Sequence, residues 1–311
     1  MADIALALPQ GVTRRAKGRA GARAEILAAW VLAGPAITLM WIMLLGPAVA
    51  VLVLSFTDWT FGMPTIAWIG LGNYQEMIAD PVFWKTLKNT LVYVAFVVPL
   101  SVFIGLGAAL LIEAGPSLRG FYRAAFFLPV TSTLLAMALV FQFAFHPSLG
   151  AINRVLSLVG LPTTDWLKNP DTAIFALGVI GIWQAVGLSM VLFIVGLKAV
   201  PKELYEAASV DGADGPFERF RRVTWPMLGP AMLFVVTITA TRAFQVFDTV
   251  SVLTDGGPNK ATNVLLFQMY QEGFSFLRSA YAAALTVVFL GFVLLITLVQ
   301  VKLQERRTHY G

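Results

Sequence analysis

Arg242 lies inside an apolar stretch. Gln245 and Asp248 (or Thr249) follow it at roughly helical spacing, beside Phe244 and Phe247. A charge at the centre of a membrane helix costs about 2.5–3.5 kcal/mol on insertion scales, so such a residue is a functional candidate by default. This mixture is suited to recognising a hydroxyl-rich ring: guanidinium, amide and carboxylate groups bond hydroxyls, and aromatic faces pack on the ring. Gln142, Trp183 and Gln184 are further candidates of the same kind. The alternative is interhelical packing, with Arg242 paired to Asp248 or to backbone carbonyls. Catalytic chemistry has no comparable cluster. The chain has no cysteine, and its two histidines, His146 and His309, are far apart and read as loop and tail residues. Neither a G-x-x-x-x-G-K-[ST] phosphate loop nor an H-E-x-x-H pair occurs, so the sequence predicts no metal site, no bound cofactor and no ATP hydrolysis by this chain.

The elements that must position these residues are membrane helices. Of the 311 residues 58% are hydrophobic and 13% charged, against about 25% charged in soluble domains. A bilayer core of about 30 Å needs roughly 20 apolar residues. Six stretches qualify: Ile26–Phe56, Leu91–Ile112, Ala124–Phe145, Ala173–Leu197, Met227–Phe247 and Ala280–Val301. The first has a basic lead like a signal peptide, but its apolar run exceeds the 7–15 residues of such a segment, so it reads as a retained span. Pro35, Pro47, Pro99 and Pro129 fall within spans and mark expected kinks. With the N-terminus inside, inside segments carry 15 Lys and Arg and outside loops 6. That asymmetry predicts cytoplasmic N and C termini. The predicted organisation is a basic tail over 1–25, a six-helix domain over 26–303 and a short tail over 304–311. A net charge of +5 arises from basic residues at membrane flanks, not from a nucleic-acid surface. Trp59, Trp68, Tyr74 and Trp84 in the outside loop Thr57–Thr90 read as interfacial anchors.

The inside loop over 198–226 is the most polar segment. Pro201 suits a helix start, Glu203 favours the positive end of its dipole, and Gly212 suits a left-handed cap. A short helix over Lys202–Gly212 is expected, with Leu204, Ala207 and Ala208 on one face. A second short helix is expected after Asp214-Gly215-Pro216, with Phe217 and Phe220 on one side and Arg219 and Arg222 elsewhere, before Trp225-Pro226 opens the fifth span. Read from the residues alone, this loop is either a solvated linker or a docking element.

The run Glu206-Ala207-Ala208, then Asp211-Gly212-Ala213, Phe220 and Pro226, resembles the EAA loop of binding-protein-dependent ABC importer permeases. Between Gly212 and Val223 it is one residue longer than the commonest form. The resemblance covers about Ala29–Leu303. It includes Gly70-Leu-Gly-Asn-Tyr74, Phe83-Trp84, Asn89-Thr90, Phe127-Leu-Pro129, Gly150-Ala-Ile-Asn153, Val246-Phe-Asp248, Leu253-Thr-Asp-Gly-Gly-Pro258, Ala261-Thr262, Tyr270 and Phe274. That series is similar to the maltose-type branch, which imports sugars and glycerol phosphates.

The resemblance implies an all-α membrane protein with the six-span fold of type I ABC importer permeases in a prokaryotic cytoplasmic membrane. Its loop would carry the coupling helix, with Glu203, Glu206, Ala207, Ala208, Asp211, Gly212, Ala213 and Phe220 docking an ATPase. Implied partners are a second, different permease, two ATPase subunits that use ATP and Mg2+, and an extracytoplasmic solute-binding protein. Transport would proceed by alternating access. The substrate would be a carbohydrate, with glycerol-3-phosphate or a glycerophosphodiester as the alternative. A proton- or sodium-driven transporter would want buried acid pairs at the membrane midplane. Asp248 and Glu113 lie near span ends instead.

Overall fold

A computed structural model describes residues 19–115, 118–213 and 215–307. The expected tail residues 1–18 and 308–311 therefore lie outside the described residues. The chain divides into two units, residues 1–50 and 51–311. The first holds α1 (Arg19–Met40) and a wider π-helical turn at Trp41–Leu45, entering α2 (Gly46–Leu54). That turn comes just before Pro47, which has no N–H to continue the ordinary ladder.

In the second unit, α3 (Gly72–Ala79) and α4 (Pro81–Ala114) occupy part of what the sequence presents as an outside loop. Asp80 caps α4 by accepting from the Val82 N–H at 2.8 Å, and Pro81 takes the first turn, where no donor is needed. With 34 residues, α4 is about 50 Å long, more than one bilayer core requires, and Pro99 does not interrupt it. The remaining helices are α5 (Arg119–Thr131), α6 (Leu134–Ala144), α7 (Ala151–Leu158), α8 (Ala173–Lys198), α9 (Lys202–Val210), α10 (Pro216–Arg219), α11 (Trp225–Met227), α12 (Gly229–Phe244), α13 (Asp248–Leu253), α14 (Leu265–Tyr270) and α15 (Ser279–Arg307).

Among the described residues, five candidate spans are long and apolar enough to cross a membrane: Leu27–Leu54, Pro81–Ala114, Ala173–Lys198, Gly229–Leu253 and Ser279–Lys302. The expected third span, Ala124–Phe145, is a broken pair in which α5 and α6 meet at 104°. Pro129 withholds a donor from the ladder, and the Thr131 and Ser132 hydroxyls donate to the Leu128 carbonyl at 2.9 and 3.0 Å. Ser132 and Thr133 are extended. Carbonyl oxygen satisfied by side chains no longer needs the next helical turn.

The core centres on α4 against α8, joined by α12. Leu177, Ile180, Met190 and Phe193 of α8 are fully buried with Val97 and Val235. Small residues set the approach. A Cβ on Gly105 would lie 2.6 Å from that of Ser189, and one on Gly187 would lie 2.1 Å from the Phe126 carbonyl oxygen. Only glycine permits these crossings, which is how membrane helices pack when lipid removes the hydrophobic drive. On the side the charge pattern assigns to the exterior, Glu272 is buried and receives a bond from Gln268 Nε2 at 2.6 Å. Arg278 pairs with Glu272 at 3.2 Å and also with Glu76, tying α3 to the entrance of α15. Burial raises the Glu272 carboxyl above its ordinary range, against the opposing pull of Arg278.

Candidate functional site: a polar cavity and a capped helix outside the spans

The fifth apolar stretch is not a single helix. α12 ends at Phe244, Gln245 caps it outside helical geometry, and a new helix starts at Asp248. Arg242, Gln245 and Asp248 therefore do not share one continuous helical face, as the spacing alone predicts. The turn brings them together another way. All three line a cavity of about 290 Å3 with Gln184 of α8, Tyr93 of α4 and Thr249 of α13. Among the described residues Arg242 makes no ion pair, although it lies in the last turn of α12, where the helix dipole favours a cation. Thr249 is 3% exposed, and among the described residues its Oγ1 has no hydrogen-bond partner. A buried hydroxyl without a partner costs about 1–3 kcal/mol.

The other candidates separate. Phe244 is buried with Met77, Phe83 and Leu265, away from this cavity. Phe247 is the ring that lines it. Gln142 belongs to a second cavity with His146, Asp165 and Lys168. Trp183 packs on Phe141 with ring centroids 5.3 Å apart and lines an apolar groove with Phe126 and Pro129. Sequence reading missed Tyr93. Its only signal was a phenol near the start of the second apolar stretch. A Cβ on Gly181 would come within 2.3 Å of the Tyr93 hydroxyl, so the glycine is what leaves room for it.

The expected helix α9 forms over Lys202–Val210, shorter than Lys202–Gly212, and Pro201 is its N-cap, just outside the first helical position expected for it. Gly212 has φ +78°. The Ala213 N–H reaches the Ala208 carbonyl at 2.8 Å and the Gly212 N–H reaches that of Ser209 at 3.1 Å. This is the Schellman arrangement, with its usual apolar contact between the residue after the glycine and the last turn. Ala208 and Ala213 supply that contact and pack with Val200 and Val223. These two alanines are buried, whereas Glu203, Glu206, Ala207, Asp211 and Gly212 are exposed. Phe220 is half-buried against Trp225. Leu204, Ala207 and Ala208 do share a face, which with Met227 and Pro226 walls a cleft of about 320 Å3.

Among the described residues no group of three or more His, Cys, Asp or Glu side chains could hold a metal ion. Residues 101–309 match the family described as binding-protein-dependent transport system inner membrane component. The chain is 37% identical over 253 residues to the Probable ABC transporter permease protein YurN of Bacillus subtilis, covering 80% of this chain and 86% of that protein. It is 33% identical to the sulfoquinovosyl glycerol transport system permease protein SmoG of Agrobacterium fabrum, covering 89% and 90%. A solved bacterial ABC transporter involved in import of the acidic polysaccharide alginate contains a chain of like fold. It has a TM-score of 0.80 at 23% identity, covering 93% of this chain and 99% of that one. A mostly helical chain with several apolar spans, an EAA-type loop folded as a capped helix, and this match over residues 101–309 together make the protein a member of the binding-protein-dependent transport system inner membrane components, the permeases of ABC importers.

Proposed function

We propose that this permease carries a carbohydrate through the cavity around Arg242, and that the capped helix α9 is where an ATPase subunit docks. The observation that carries the reading is the pairing of two features in one chain. An open cavity between helices holds uncommitted polar groups, and a self-contained helix outside the spans turns three carboxylates outward. ATP and Mg2+ then act in the partner ATPases, and closure of those subunits reaches the cavity through α9. A second permease completes the path, and an extracytoplasmic solute-binding protein delivers the ligand. A sugar or oligosaccharide is the leading cargo. Glycerol-3-phosphate or a glycerophosphodiester is the second reading, favoured by Arg242, which has no ion pair among the described residues.

Reconstitution in liposomes with both permeases, the ATPases and the solute-binding protein tests the class. Uptake of the ligand that co-purifies with the binding protein is expected only with ATP inside the compartment that faces α9. Uptake that persists without the ATPase subunits would favour an ion-coupled transporter. The identity of the co-purifying ligand decides between neutral and anionic cargo.

Orientation is a separate hypothesis, motivated by the 15-to-6 bias of Lys and Arg. We propose six crossings, with α5 and α6 forming the third, and both termini in the cytoplasm of the prokaryotic inner membrane. Reporter fusions at Gly257 and Gly311 should then read opposite sides. The same side for both defeats the six-span arrangement.

A further inference from the structure

The docking helix is joined to the fifth span by a connection that contains two glycines, Gly212 and Gly215. Such a connection by itself lets a short helix swing, because glycine has little preference among backbone conformations. The structure ties the two elements together by side chains instead. Arg219 donates from Nη2 to the Ser209 hydroxyl at 2.9 Å and from Nε to the Ala213 carbonyl at 3.1 Å. Ser209 in turn donates to the Tyr205 carbonyl at 3.0 Å. The Tyr205 hydroxyl lies 3.0 Å from Thr224 Oγ1. Thr224 is buried at the end of the π-helical turn Phe220–Thr224, which runs on into α11.

We propose that Arg219 is a positioning residue of the coupling loop. Together with Tyr205 it clamps the docking helix to the entrance of the fifth span, so that a displacement of α9 by the ATPase is carried into the helix that bears Arg242. This rests on α9 being the docking helix. Three arginines sit close together here, and geometry separates them. Arg221 is exposed, and no ion pair or hydrogen bond of its side chain occurs among the described residues. Arg222 is exposed and among the described residues reaches only the Asp211 carbonyl, at 3.4 Å. Arg219 alone turns inward. Its guanidinium bonds a carbonyl and a hydroxyl, while the carboxylates of Glu203, Glu206 and Asp211 remain exposed for a partner. A planar guanidinium with several fixed donors suits this double contact, and an ammonium matches only one acceptor at a time.

The test uses the complete reconstituted transporter. Because the chain has no cysteine, Val210→Cys supplies a unique thiol at the 88% exposed end of α9. In the otherwise unchanged chain this thiol should cross-link to a cysteine placed in the ATPase groove. With Arg219→Ala the cross-link and basal ATP hydrolysis should persist. Stimulation of hydrolysis by the binding protein, purified with its bound ligand, should fall by about tenfold, the scale of losing a charge-assisted hydrogen bond. Arg219→Lys should recover part of it, and Arg221→Ala should change nothing. If Arg219→Ala fails to assemble, Tyr205→Phe removes one hydroxyl and should still reduce stimulation. Full stimulation in Arg219→Ala, or in Tyr205→Phe where that variant carries the test, overturns the proposal; so does an equal loss in Arg221→Ala. A cross-link that forms while Arg219→Ala couples normally removes only the positioning role. Absence of the cross-link in the unaltered background removes the docking reading itself.

Discussion

Gly212→Val should abolish transport and stimulated ATP hydrolysis while leaving the permease inserted in the membrane. The reason is backbone conformation alone. Nothing lies within 4 Å of the position a Cβ would take on Gly212, so no clash drives the effect. The φ of +78° is the whole difficulty. An L residue held in the left-handed region costs about 1–2 kcal/mol, and a β-branched one is a stronger outlier. That is too little to expel a helix from the bilayer. It is enough to open the bond from the Ala213 N–H to the Ala208 carbonyl and to release the small core in which those alanines pack with Val200 and Val223. Gly212→Asn, which tolerates the left-handed region better, should retain much of the activity. Glu206→Lys should also uncouple, but by another route. Glu206 is exposed, so charge reversal there alters what a partner meets and not how the loop folds. A compensating acidic change in the ATPase groove should therefore rescue Glu206→Lys and fail to rescue Gly212→Val. If both variants transport and hydrolyse like the unaltered protein, α9 is a linker and the docking hypothesis fails.

Gly212 was legible because its signal is local. A glycine after an alanine-rich turn needs no tertiary information to be read as a left-handed cap. The long spans were legible for a related reason, since a run of some 20 apolar residues has few other uses. The break in the third span was not. Pro129 pointed to a kink, but the 104° turn also needs the Thr131 and Ser132 hydroxyls to satisfy the Leu128 carbonyl, a choice of side-chain rotamer. The turn at Gln245 was hidden in the same way, because helical spacing persists in the letters after the helix has stopped. Phe244 stands two residues from Arg242 in the unbroken part of α12 and so faces the other way, into the cluster with Met77 and Phe83, while Phe247, beyond the turn, reaches the cavity. Arg219 is the extreme case. Its neighbours Arg221 and Arg222 have the same chemistry, and only packing shows which of the three turns inward.

Arg242→Ala should impair uptake with the complex fully assembled. Arg242 has no ion pair among the described residues to lose, and it is exposed to the cavity rather than packed between helices. Removing it therefore strips a donor from the path without orphaning a buried carboxylate. A hydrogen bond to a charged group is worth about 1.5–3 kcal/mol, which corresponds to a roughly ten- to hundredfold rise in half-saturating ligand concentration. The size of the change on Arg242→Lys separates the two cargoes. A neutral sugar is held by the fixed geometry of the guanidinium fork, so lysine should be almost as poor as alanine. An anionic group is held largely by charge, so lysine should restore much of the uptake, and added salt should weaken what it restores. The cavity offers an internal control. Thr249→Val removes the unpartnered buried hydroxyl while keeping the shape of the side chain. If that hydroxyl touches ligand, affinity falls; if it only bears the cost of burial, the permease becomes more stable and uptake is unchanged. Normal uptake kinetics in Arg242→Ala at full expression would reject the substrate role of this cavity, and the cation would then have to be explained by contact with the second permease.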